Sequence, residues 1–504
     1  MNVIPRYIPR VTVCLRAALV SVMLGACTAP EPLDLVLRGG RVVDGTGAPS
    51  RVADVGIRAG RLVAVGDVDV ARAGRVIDVD GLVVAPGFID LHAHTERGLV
   101  ELPGADNLVL QGVTTVVSAP HSGRTPWPLD QWLARLHVTP NTIWFVGHNT
   151  LRDWVVGEER PATEHETATM VALVQQAMRD GAWGLSSGLV YRPGSAAEPT
   201  ELEALARAVG PDGRYATHMR DSGPGLVAAT EEAIQVARAT GTPTLINHLK
   251  ATTPAGHAAL DEAIALLDQA REEQVPVTID AYPYAASGSS SSVFEPLNPG
   301  LEQRLPGWCG GDLDGLRFRS VPGADALEGR TLREVLILAG LPETWSSAAA
   351  VVRELHHRAP FRTIASSMRQ EDVDRILERP GTLVESDGNL EPPAGSHPHP
   401  RSFGTFPRFL QRYVRERGTL TLEEAVHRMT GGSADWLGLQ GRGRIVMGGA
   451  ADLVVFDPDK IGSRATIAAP RHTPDGLVLV LVNGVIVAQD GVSTGARPGV
   501  PLRP

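Results

Sequence analysis

The chain has 504 residues, of which 43% are hydrophobic and 21% are charged, and its formal net charge is −10. This length is enough for one large barrel domain together with a smaller domain, and the composition is that of an ordinary globular protein. An excess of acidic residues is the opposite of what nucleic-acid binding needs, so we expect no nucleic-acid partner. Three cysteines cannot build a disulfide framework.

The first 26 residues have the pattern of an export signal. Three arginines precede the short apolar stretch 17–23, and Leu-Gly-Ala-Cys follows and ends at Cys27. The apolar stretch is too short to span a bilayer, and Leu-Gly-Ala-Cys resembles the bacterial lipobox. We therefore predict a lipoprotein signal peptide over residues 1–26, a membrane anchor through lipid at Cys27, and a place in the bacterial cell envelope that faces the periplasm. An ordinary cleaved signal peptide is the alternative.

Short strands and turns are predicted at both ends of the mature chain. Residues 33–85 contain alternating apolar and polar runs separated by glycine turns, and residues 436–504 include a hairpin that turns at Asn483-Gly484. Each end has few strands for a domain of its own. We therefore predict one small β-sandwich domain that is formed by both termini.

Between residues 86 and 435, strand-like runs alternate with helical segments. Val113–Val117 is one such run, and residues 164–180 have helical periodicity. This alternation predicts an α/β fold, a (β/α)8 TIM-like barrel over residues 86–435. The low-complexity run Ser287–Ser292 is predicted to be a flexible loop over the barrel mouth.

The central chemical motif lies in residues 85–96. A short strand, Phe88–Leu91, runs into His92-Ala93-His94. Residues i and i+2 of a strand point to the same side, so both imidazoles project from its C-terminal end, where two neutral nitrogens can hold one divalent metal. A His-x-His pair also arises by chance, and we interpret His397-Pro398-His399 in that way.

Polar side chains recur directly after the later strands. A single histidine in such a place is more often structural than a ligand, but the C-terminal ends of barrel strands converge on one mouth. Several histidines at successive strand ends therefore predict a metal site. The polar residues concerned are His121, His148, His218, Arg220, His248, Lys250, Tyr282, Tyr284 and Asp387.

Asp387 is the candidate catalytic residue. A metal at the mouth would lower the pKa of a bound water and polarise a carbonyl. Asp387 can accept the proton of that water and later protonate a leaving amine, although Asp-Gly is also a common turn. The predicted chemistry is hydrolysis of an amide-type bond.

These residues lie in stretches that resemble one enzyme family. Besides residues 85–94, the matching stretches include Tyr-Ala-Thr-His-Met-Arg at 215–220, Asn-His-Leu-Lys at 247–250, Asp-Ala-Tyr-Pro-Tyr at 280–284, Ser-Asp-Gly at 386–388 and His-Pro-Arg-Ser-Phe-Gly-Thr-Phe at 399–406. Further matches lie at residues 111–117, 146–152, 184–191 and 448–457. They are collinear and cover nearly all of the mature chain. The sequence resembles the amidohydrolase superfamily and, more narrowly, the D-aminoacylase (N-acyl-D-amino-acid deacylase) family.

The resemblance implies a zinc-dependent hydrolase that cleaves N-acyl-D-amino acids to a carboxylate and a free D-amino acid. Asp387 would be the general acid/base. The metal ligands would be His92 and His94 at one position, His218 and His248 at the other, and His121. The residues implied in substrate binding are Lys250, Tyr284, Arg401, Tyr191 and His148. Arginine and lysine suit a substrate carboxylate, since Arg offers a bidentate fork and Lys a point charge.

Two departures from the family pattern stand out. His121 occupies the position of a metal-bound cysteine, and one imidazole nitrogen does not bridge two metals as a thiolate can, so both one and two zinc ions remain open. The family pattern His-Met-Arg-x-Glu is His-Met-Arg-Asp-Ser here, so Ser222 stands where the family has a glutamate. Two alternatives therefore remain: another reaction on the same scaffold, such as hydrolysis of a cyclic amide (hydantoin) or a dipeptide, and a non-catalytic ligand-binding lipoprotein.

Overall fold

The structure is a computed structural model that describes residues 32–121, 124–293 and 300–504. The predicted signal peptide and Cys27 lie outside the described residues. None of the helices within these ranges is both long enough and apolar enough to cross a bilayer.

The strands belong to three sheets. In chain order they are β1 (Leu35–Val42), β2 (Arg51–Arg58), β3 (Arg61–Gly66), β4 (Val76–Asp78), β5 (Val83–Pro86), β6 (Phe88–His94), β7 (Val113–Ser118), β8 (Asn141–Gly147), β9 (Gly184–Gly188), β10 (Arg214–His218), β11 (Thr244–Ile246), β12 (Val277–Ala281), β13 (Ser287–Ser290), β14 (Leu316–Ser320), β15 (Arg362–Ala365), β16 (Leu383–Val384), β17 (Gly388–Asn389), β18 (Leu453–Phe456), β19 (Leu477–Val482), β20 (Val485–Gln489) and β21 (Val492–Ser493).

The helices mostly follow strands of the central region. They are α1 (Asp106–Val109), α2 (Leu129–Leu133), α3 (His148–Val155), α4 (Glu164–Asp180), α5 (Pro199–Ala208), α6 (Leu226–Thr240), α7 (Thr253–Glu272), α8 (Leu301–Trp308), α9 (Leu332–Leu338), α10 (Trp345–Arg358), α11 (Gln370–Glu378), α12 (Arg401–Phe409), α13 (Leu422–Met429) and α14 (Gly431–Leu437), with a π-helical turn at Leu410–Glu416.

The central sheet is parallel and curled. Its strands follow the chain order from β6 to β12, and β16 and β17 form its two ends. β16 pairs with β12 and β17 pairs with β6, yet only residues 385–387 separate β16 from β17 in the chain. The segment 383–389, which we call the seam, therefore brings the two edges of the sheet together.

Burial on both faces explains the largely apolar sequences of the central strands β7 and β8. Every residue of β7 and β8 is buried, as expected for a parallel sheet with both faces covered. The predicted helix at residues 164–180 is confirmed as α4. A capping box of Thr163 and Glu166 begins this helix, and Gly181 ends it in the left-handed conformation, with φ 109°.

Both ends of the chain contribute to a second sheet of nine strands. Its order is β21-β20-β19-β18-β5-β1-β2-β3, and β4 pairs with β1. The predicted hairpin is present between β19 and β20, and its turn residues Asn483 and Gly484 have φ values of 48° and 80°. β5 of this sheet continues through Gly87 into β6 of the central sheet, so the two sheets are joined at this glycine.

Residues 287–293 and 300–365 form a unit that the sequence analysis did not predict, and we call it the insert. β13, β15 and β14 make a three-stranded antiparallel sheet, which packs with α8, α9 and α10 around a core that includes Phe318 and Leu336. Cys309 is a buried free thiol in this core. The prediction of a flexible loop is wrong for Ser287–Ser290, because these residues pair along β15 and the ladder overrides their Gly/Ser composition.

Gly87 tests the junction between the two sheets. A Cβ atom at this position would lie 2.1 Å from Oγ1 and 2.2 Å from Cγ2 of Thr114, a residue that is buried. We expect Gly87→Ala to destabilise the fold by about 1–3 kcal/mol through overpacking. The measurement is the thermal midpoint followed by circular dichroism.

The matched control is Gly307→Ala in α8. The atom nearest to the added methyl group is Cγ2 of Thr253 at 3.4 Å, an ordinary contact. We expect this variant to unfold at the wild-type temperature or slightly above it. Equal midpoints for the two variants would contradict the close approach at Gly87.

Candidate active site

Five imidazoles converge at the C-terminal ends of the central strands. β6 carries His92 and His94, β10 ends at His218, and His121 and His248 follow β7 and β11. The rings of His92 and His121 stack with centroids 4.2 Å apart, those of His218 and His248 lie 4.4 Å apart, and those of His92 and His94 lie 5.0 Å apart. The strand-end pattern in the sequence therefore corresponds to one cluster in space.

Asp387 lies at the seam and faces this cluster. Its Oδ1 is 3.2 Å from Nε2 of His94 and 3.6 Å from Nε2 of His92. Its Oδ2 is 2.8 Å from Nη1 of Arg401, and its backbone N–H donates to the carbonyl of His92 at 2.9 Å. Asp387 and His248 both have positive φ values, 45° and 40°, a strained conformation that recurs at functional sites.

The ring nitrogens of the cluster fit a metal ion. Within the described residues, both nitrogens of His92 and of His121, and Nε2 of His248, are buried without a hydrogen-bond partner. Two sets of donors have all their atoms within 4.8 Å of one another: His92 with His121 and His248, and His92 with His94 and Asp387. Imidazole nitrogens with a carboxylate oxygen are typical zinc ligands, so the donor chemistry matches the predicted metal.

Burial keeps four of the imidazoles neutral, those of His92, His121, His218 and His248, and the neutral ring is the form that binds metals. Burial lowers the pKa of His92 to about 4. Burial also holds the pKa values of His121, His218 and His248 well below the ordinary value. Each ring therefore carries a free lone pair at neutral pH.

Asp387 is ionised by its surroundings. Burial alone would raise its pKa, but the charge of Arg401, together with the adjacent rings of His248, His92 and His94, outweighs burial and holds the pKa of Asp387 well below its ordinary value. Burial likewise works to lower the pKa of Arg401, and the charge of Asp387 raises it overall. Asp387 and Arg401 therefore form an ion pair of a carboxylate with a guanidinium.

Three further buried acids lie near the site, Asp90, Asp280 and Glu385, and the sequence analysis did not single them out; two of them hold the loops of His92 and His248 in place. Asp280 accepts hydrogen bonds from the backbone N–H of His248 and from Asn247, and Asp90 accepts from the backbone N–H of His92 and from Ser386. Burial raises the pKa of Asp90 to about 7, and burial raises the pKa values of Asp280 and Glu385 well above the ordinary range. The available signal was spacing, since Asp90 and Glu385 each precede a predicted site residue by two positions.

A cavity of about 60 Å³ lies between the histidine cluster and the insert. The central sheet and the residues after it contribute His94, His121, His218, Asp387, Asn389 and Arg401 to its lining. The insert contributes Gly288, Ser289, Ser290, Arg319 and Arg362, and Tyr191 completes the lining. Of the five residues predicted to bind substrate, the structure thus brings Tyr191 and Arg401 to the cavity.

Lys250 lies behind the cavity wall. Its Nζ is 2.8 Å from Nδ1 of His248 and the side chain is buried. Burial lowers the pKa of Lys250 to about 8. Lys250 therefore contacts a predicted metal ligand directly.

The structure does not bring Tyr284 to the cavity. Its hydroxyl is 3.5 Å from Oγ of Ser463, and the guanidinium of Arg408 packs over its ring at 4.8 Å. The tyrosine that contacts the site is Tyr282, whose ring lies 4.8 Å from the guanidinium of Arg401. The two tyrosines of the Tyr-Pro-Tyr stretch therefore have different surroundings, and the sequence motif did not separate them.

His148 is also placed away from the cavity lining. Its Nε2 lies 2.7 Å from Oε1 of Glu201, and Arg152 pairs with the other oxygen of the same carboxylate. All three side chains are buried. His148 therefore belongs to a buried ionic network that fixes α3 against α5.

His397-Pro398-His399 contributes to neither candidate metal set. Nε2 of His399 donates to the carbonyl of Ala286 at 3.0 Å, and its Nδ1 accepts from the backbone N–H of Arg401 at 3.1 Å. His399 thus positions the start of α12 and its first residue, Arg401.

Comparison with known proteins agrees with this geometry. Residues 348–488 match the model of the amidohydrolase family. The chain is 38% identical to a D-aminoacylase of Alcaligenes xylosoxydans xylosoxydans over 93% of this chain and 97% of that protein, and 38% identical to an N-acyl-D-aspartate deacylase of the same organism over 94% and 96%. The chain belongs to the D-aminoacylase family of amidohydrolases.

A solved structure of a relative extends the comparison to the fold. It is the N-acyl-D-glutamate deacylase of Bordetella bronchiseptica in complex with zinc and a phosphonate inhibitor that mimics the tetrahedral intermediate of the reaction. The TM-score is 0.84 at 35% identity, with 94% of this chain and all of that chain covered. The curled parallel sheet is therefore the sheet of this family.

The residues that sequence reasoning missed in the lining come mainly from the insert. Arg319 and Arg362 start far from the motifs in the chain, and only the pairing of β13, β14 and β15 brings them to the cavity. No local pattern in the sequence marks them.

The buried network of His148, Arg152 and Glu201 gives a stability prediction. Burial works against ionisation of Glu201, but His148 and Arg152 hold its pKa below the ordinary value of 4.5. Glu201→Gln leaves the guanidinium of Arg152 buried without a charged partner, so we expect a loss of about 3–5 kcal/mol and a lower thermal midpoint at pH 7.

The pH dependence follows from the direction of this pKa shift. The stability that ionised Glu201 contributes is present above pH 4.5 and is lost as the pH falls through its folded pKa. The gap between the midpoints of wild type and Glu201→Gln should therefore narrow on acidification. A gap that widens as the pH falls would contradict the ionised network.

Proposed function

We propose that this protein is a zinc-dependent hydrolase that cleaves the amide bond of N-acyl-D-amino acids and releases a carboxylate and a free D-amino acid. One observation carries the proposal: buried imidazole nitrogens without a protein partner face an ionised carboxylate across one cavity. The D-aminoacylase and the N-acyl-D-aspartate and N-acyl-D-glutamate deacylases named above support the reaction type.

The histidines would hold one or two zinc ions. His218 and His248 would bind one ion, His92 and His94 a second position, and His121 stands between them with its ring 4.2 Å from that of His92 and 6.0 Å from that of His248. Zinc supplies a Lewis acid that lowers the pKa of a water and polarises the amide carbonyl. Asp90 and Asp280 would orient the ligands, because they accept hydrogen bonds from the backbone N–H groups of His92 and His248.

Asp387 would act as general base and then as general acid. Its pKa is held well below the ordinary value, so it is ionised at neutral pH and ready to accept a proton. Transfer of the same proton to the leaving nitrogen would complete the cleavage. Arg401 would keep the carboxylate oriented through its 2.8 Å contact.

A carboxylate-bearing small molecule is the proposed substrate. Arg401 and Tyr191 line the cavity, so these two would bind and orient the α-carboxylate. Lys250 would contribute positive charge from behind the cavity wall. Tyr284 and His148 are left out of this proposal because their polar atoms contact Ser463 and Glu201.

We further propose the domain plan and location that the sequence suggests. The curled sheet would be a (β/α)8 barrel over residues 86–435 that closes at the seam, and residues 33–85 with 436–504 would form a small β-sandwich domain. The pairing of β16 with β12 and of β17 with β6 supports closure. The lipobox pattern supports a signal peptide over residues 1–26 and a lipid anchor at Cys27 in the cell envelope.

Metal removal tests the role of zinc. We expect dialysis against a chelator to abolish hydrolysis of N-acyl-D-amino acids and added zinc to restore it, with zinc content followed by mass spectrometry. His94→Ala should bind less zinc, whereas the control His397→Ala, which alters a histidine outside both donor sets, should keep the wild-type content.

A substrate panel separates the proposed reaction from its alternatives. Turnover of hydantoins or dipeptides in preference to N-acyl-D-amino acids would replace the proposal with a different amidohydrolase reaction. Activity that survives complete loss of zinc would contradict metal-dependent hydrolysis.

Asp387→Asn tests the general base. The amide has nearly the same size but cannot accept the proton, so we expect kcat to fall about 100-fold or more. Zinc content and the thermal midpoint establish that the site is otherwise intact. The control is Asp212→Asn at an exposed position, which should keep the parent kcat. An unchanged kcat in zinc-loaded Asp387→Asn would remove this carboxylate from the reaction.

A further inference from the structure

Two side chains of the matching sequence stretches have no part in the chemistry proposed above. Asn149 is the second residue of α3, and Arg220 follows the end of β10 by two residues. Both donate hydrogen bonds to the backbone of residues 188–197, which we call the Tyr191 segment. Apart from Gly188 at the end of β9 and a short turn at Gly194–Ala196, this segment is neither helix nor strand. Contacts from outside the segment therefore help to fix its path.

Asn149 holds the first half of the Tyr191 segment. Its side chain is buried, and its Nδ2 atom lies 3.3–3.4 Å from three backbone carbonyl oxygens, those of Gly188, Tyr191 and Arg192. Carbonyl oxygens only accept hydrogen bonds, so the end of the amide that faces them is the NH2 group, which donates. One buried amide thus connects three points of the segment to the start of α3.

Arg220 holds the second half of the segment. Its Nη1 donates to the carbonyl of Ser195 at 2.7 Å, and its Nη2 donates to the carbonyl of Ala197 at 3.0 Å. The same Nη2 lies 2.9 Å from Oε1 of Glu232 in α6, and this ion pair fixes the guanidinium. The Tyr191 segment is therefore tied near both of its ends to helices that flank the central sheet.

The side chain of Tyr191 connects this segment to the candidate active site. Its ring lines the cavity, lies 5.1 Å from the ring of His218 and packs against the core of the insert. A Cβ atom on Gly188 would lie 3.0 Å from Cδ2 of Tyr191, so the ring packs closely on the backbone of this glycine. A shift of the segment would therefore move the ring relative to the cavity.

We propose that Asn149 and Arg220 are positioning residues for substrate binding, because they fix the Tyr191 segment and thereby hold Tyr191 at the cavity. This inference rests on the proposed deacylase function, in which Tyr191 binds the α-carboxylate, and adds the residues that set the place of Tyr191. Neither Asn149 nor Arg220 is a catalytic residue, since neither belongs to the described lining of the cavity.

The first test is Asn149→Asp in zinc-loaded full-length protein, with the best substrate of the panel described above. The carboxylate has nearly the same shape as the amide but donates no hydrogen bond to the three carbonyls. We expect KM to rise about tenfold and kcat to stay within about twofold of the wild type, because ground-state binding is weakened. Zinc content should be unchanged.

Arg220→Lys tests the other half of the segment. Lysine keeps a positive charge beside Glu232 but lacks the fork that reaches two carbonyl oxygens. We expect the same rise of KM at nearly constant kcat, about three- to tenfold. A fall of kcat without a rise of KM in both variants would overturn the inference.

A double-mutant cycle establishes whether Asn149 acts through Tyr191. In the background of Tyr191→Ala, Asn149→Asp should change KM by less than about twofold, because the residue that it positions is already lost. Equal fold-changes of KM in the two backgrounds would overturn the inference, since the effect would then not pass through Tyr191.

Two exposed positions provide matched controls. Gln440→Glu makes the same change from amide to carboxylate at a side chain that donates to the carbonyl of Gly438. Arg238→Lys makes the same change of cation at an arginine of α6 that pairs with Glu273. Both variants should keep the wild-type KM.

Hydrogen exchange followed by mass spectrometry keeps this inference separate from the proposed reaction. The backbone N–H groups of Tyr191 and Ser195 donate to the carbonyls of Gly188 and Tyr191 within the segment. We expect Asn149→Asp to accelerate exchange in peptides from residues 188–197 about tenfold or more, with peptides from α7 unchanged. Accelerated exchange supports the positioning role even if no N-acyl-D-amino acid is hydrolysed. Unchanged exchange overturns it even if these substrates are hydrolysed.

Discussion

Buried imidazole nitrogens without protein partners are the constraint on which the rest of the site depends. A buried polar atom that lacks a hydrogen bond costs about 1–3 kcal/mol, and His92 and His121 each contribute two such atoms. A fold that needed these residues only for packing would gain by replacing them with apolar side chains. Their retention makes sense when a cation takes up the lone pairs, and the neutral state of the rings prepares them for it.

The seam belongs both to the central sheet and to the candidate active site. The few residues between β16 and β17 connect the two edge strands of the central sheet and also carry Asp387. Asp90 accepts hydrogen bonds from Ser386 in the seam and from the backbone of His92 in β6, so one buried carboxylate connects the segment that carries Asp387 to the strand that carries His92 and His94. The positive φ of Asp387 is the local cost of turning its side chain toward the histidines.

Local patterns predicted much of this molecule. The pairing of His92 with His94 was predicted from the two-residue periodicity of a strand. Helix α4 was predicted from its helical periodicity and its good helix formers. The features that the sequence did not predict depend on pairing between residues that are distant in the chain. Ser287–Ser290 is a strand because β15 lies beside it, although its composition is that of a loop. Arg319 and Arg362 reach the cavity through the same sheet, and the different surroundings of Tyr282 and Tyr284 follow from Arg401 and Arg408, which come more than a hundred residues later.

The backbone hydrogen bond from Asp387 to the carbonyl of His92 has a mechanical consequence. It ties the proposed proton carrier to the strand that bears His92 and His94, so a displacement of this strand also displaces the carboxylate. The distances from Asp387 to the two rings therefore change less than they would if the seam were attached only through its chain neighbours.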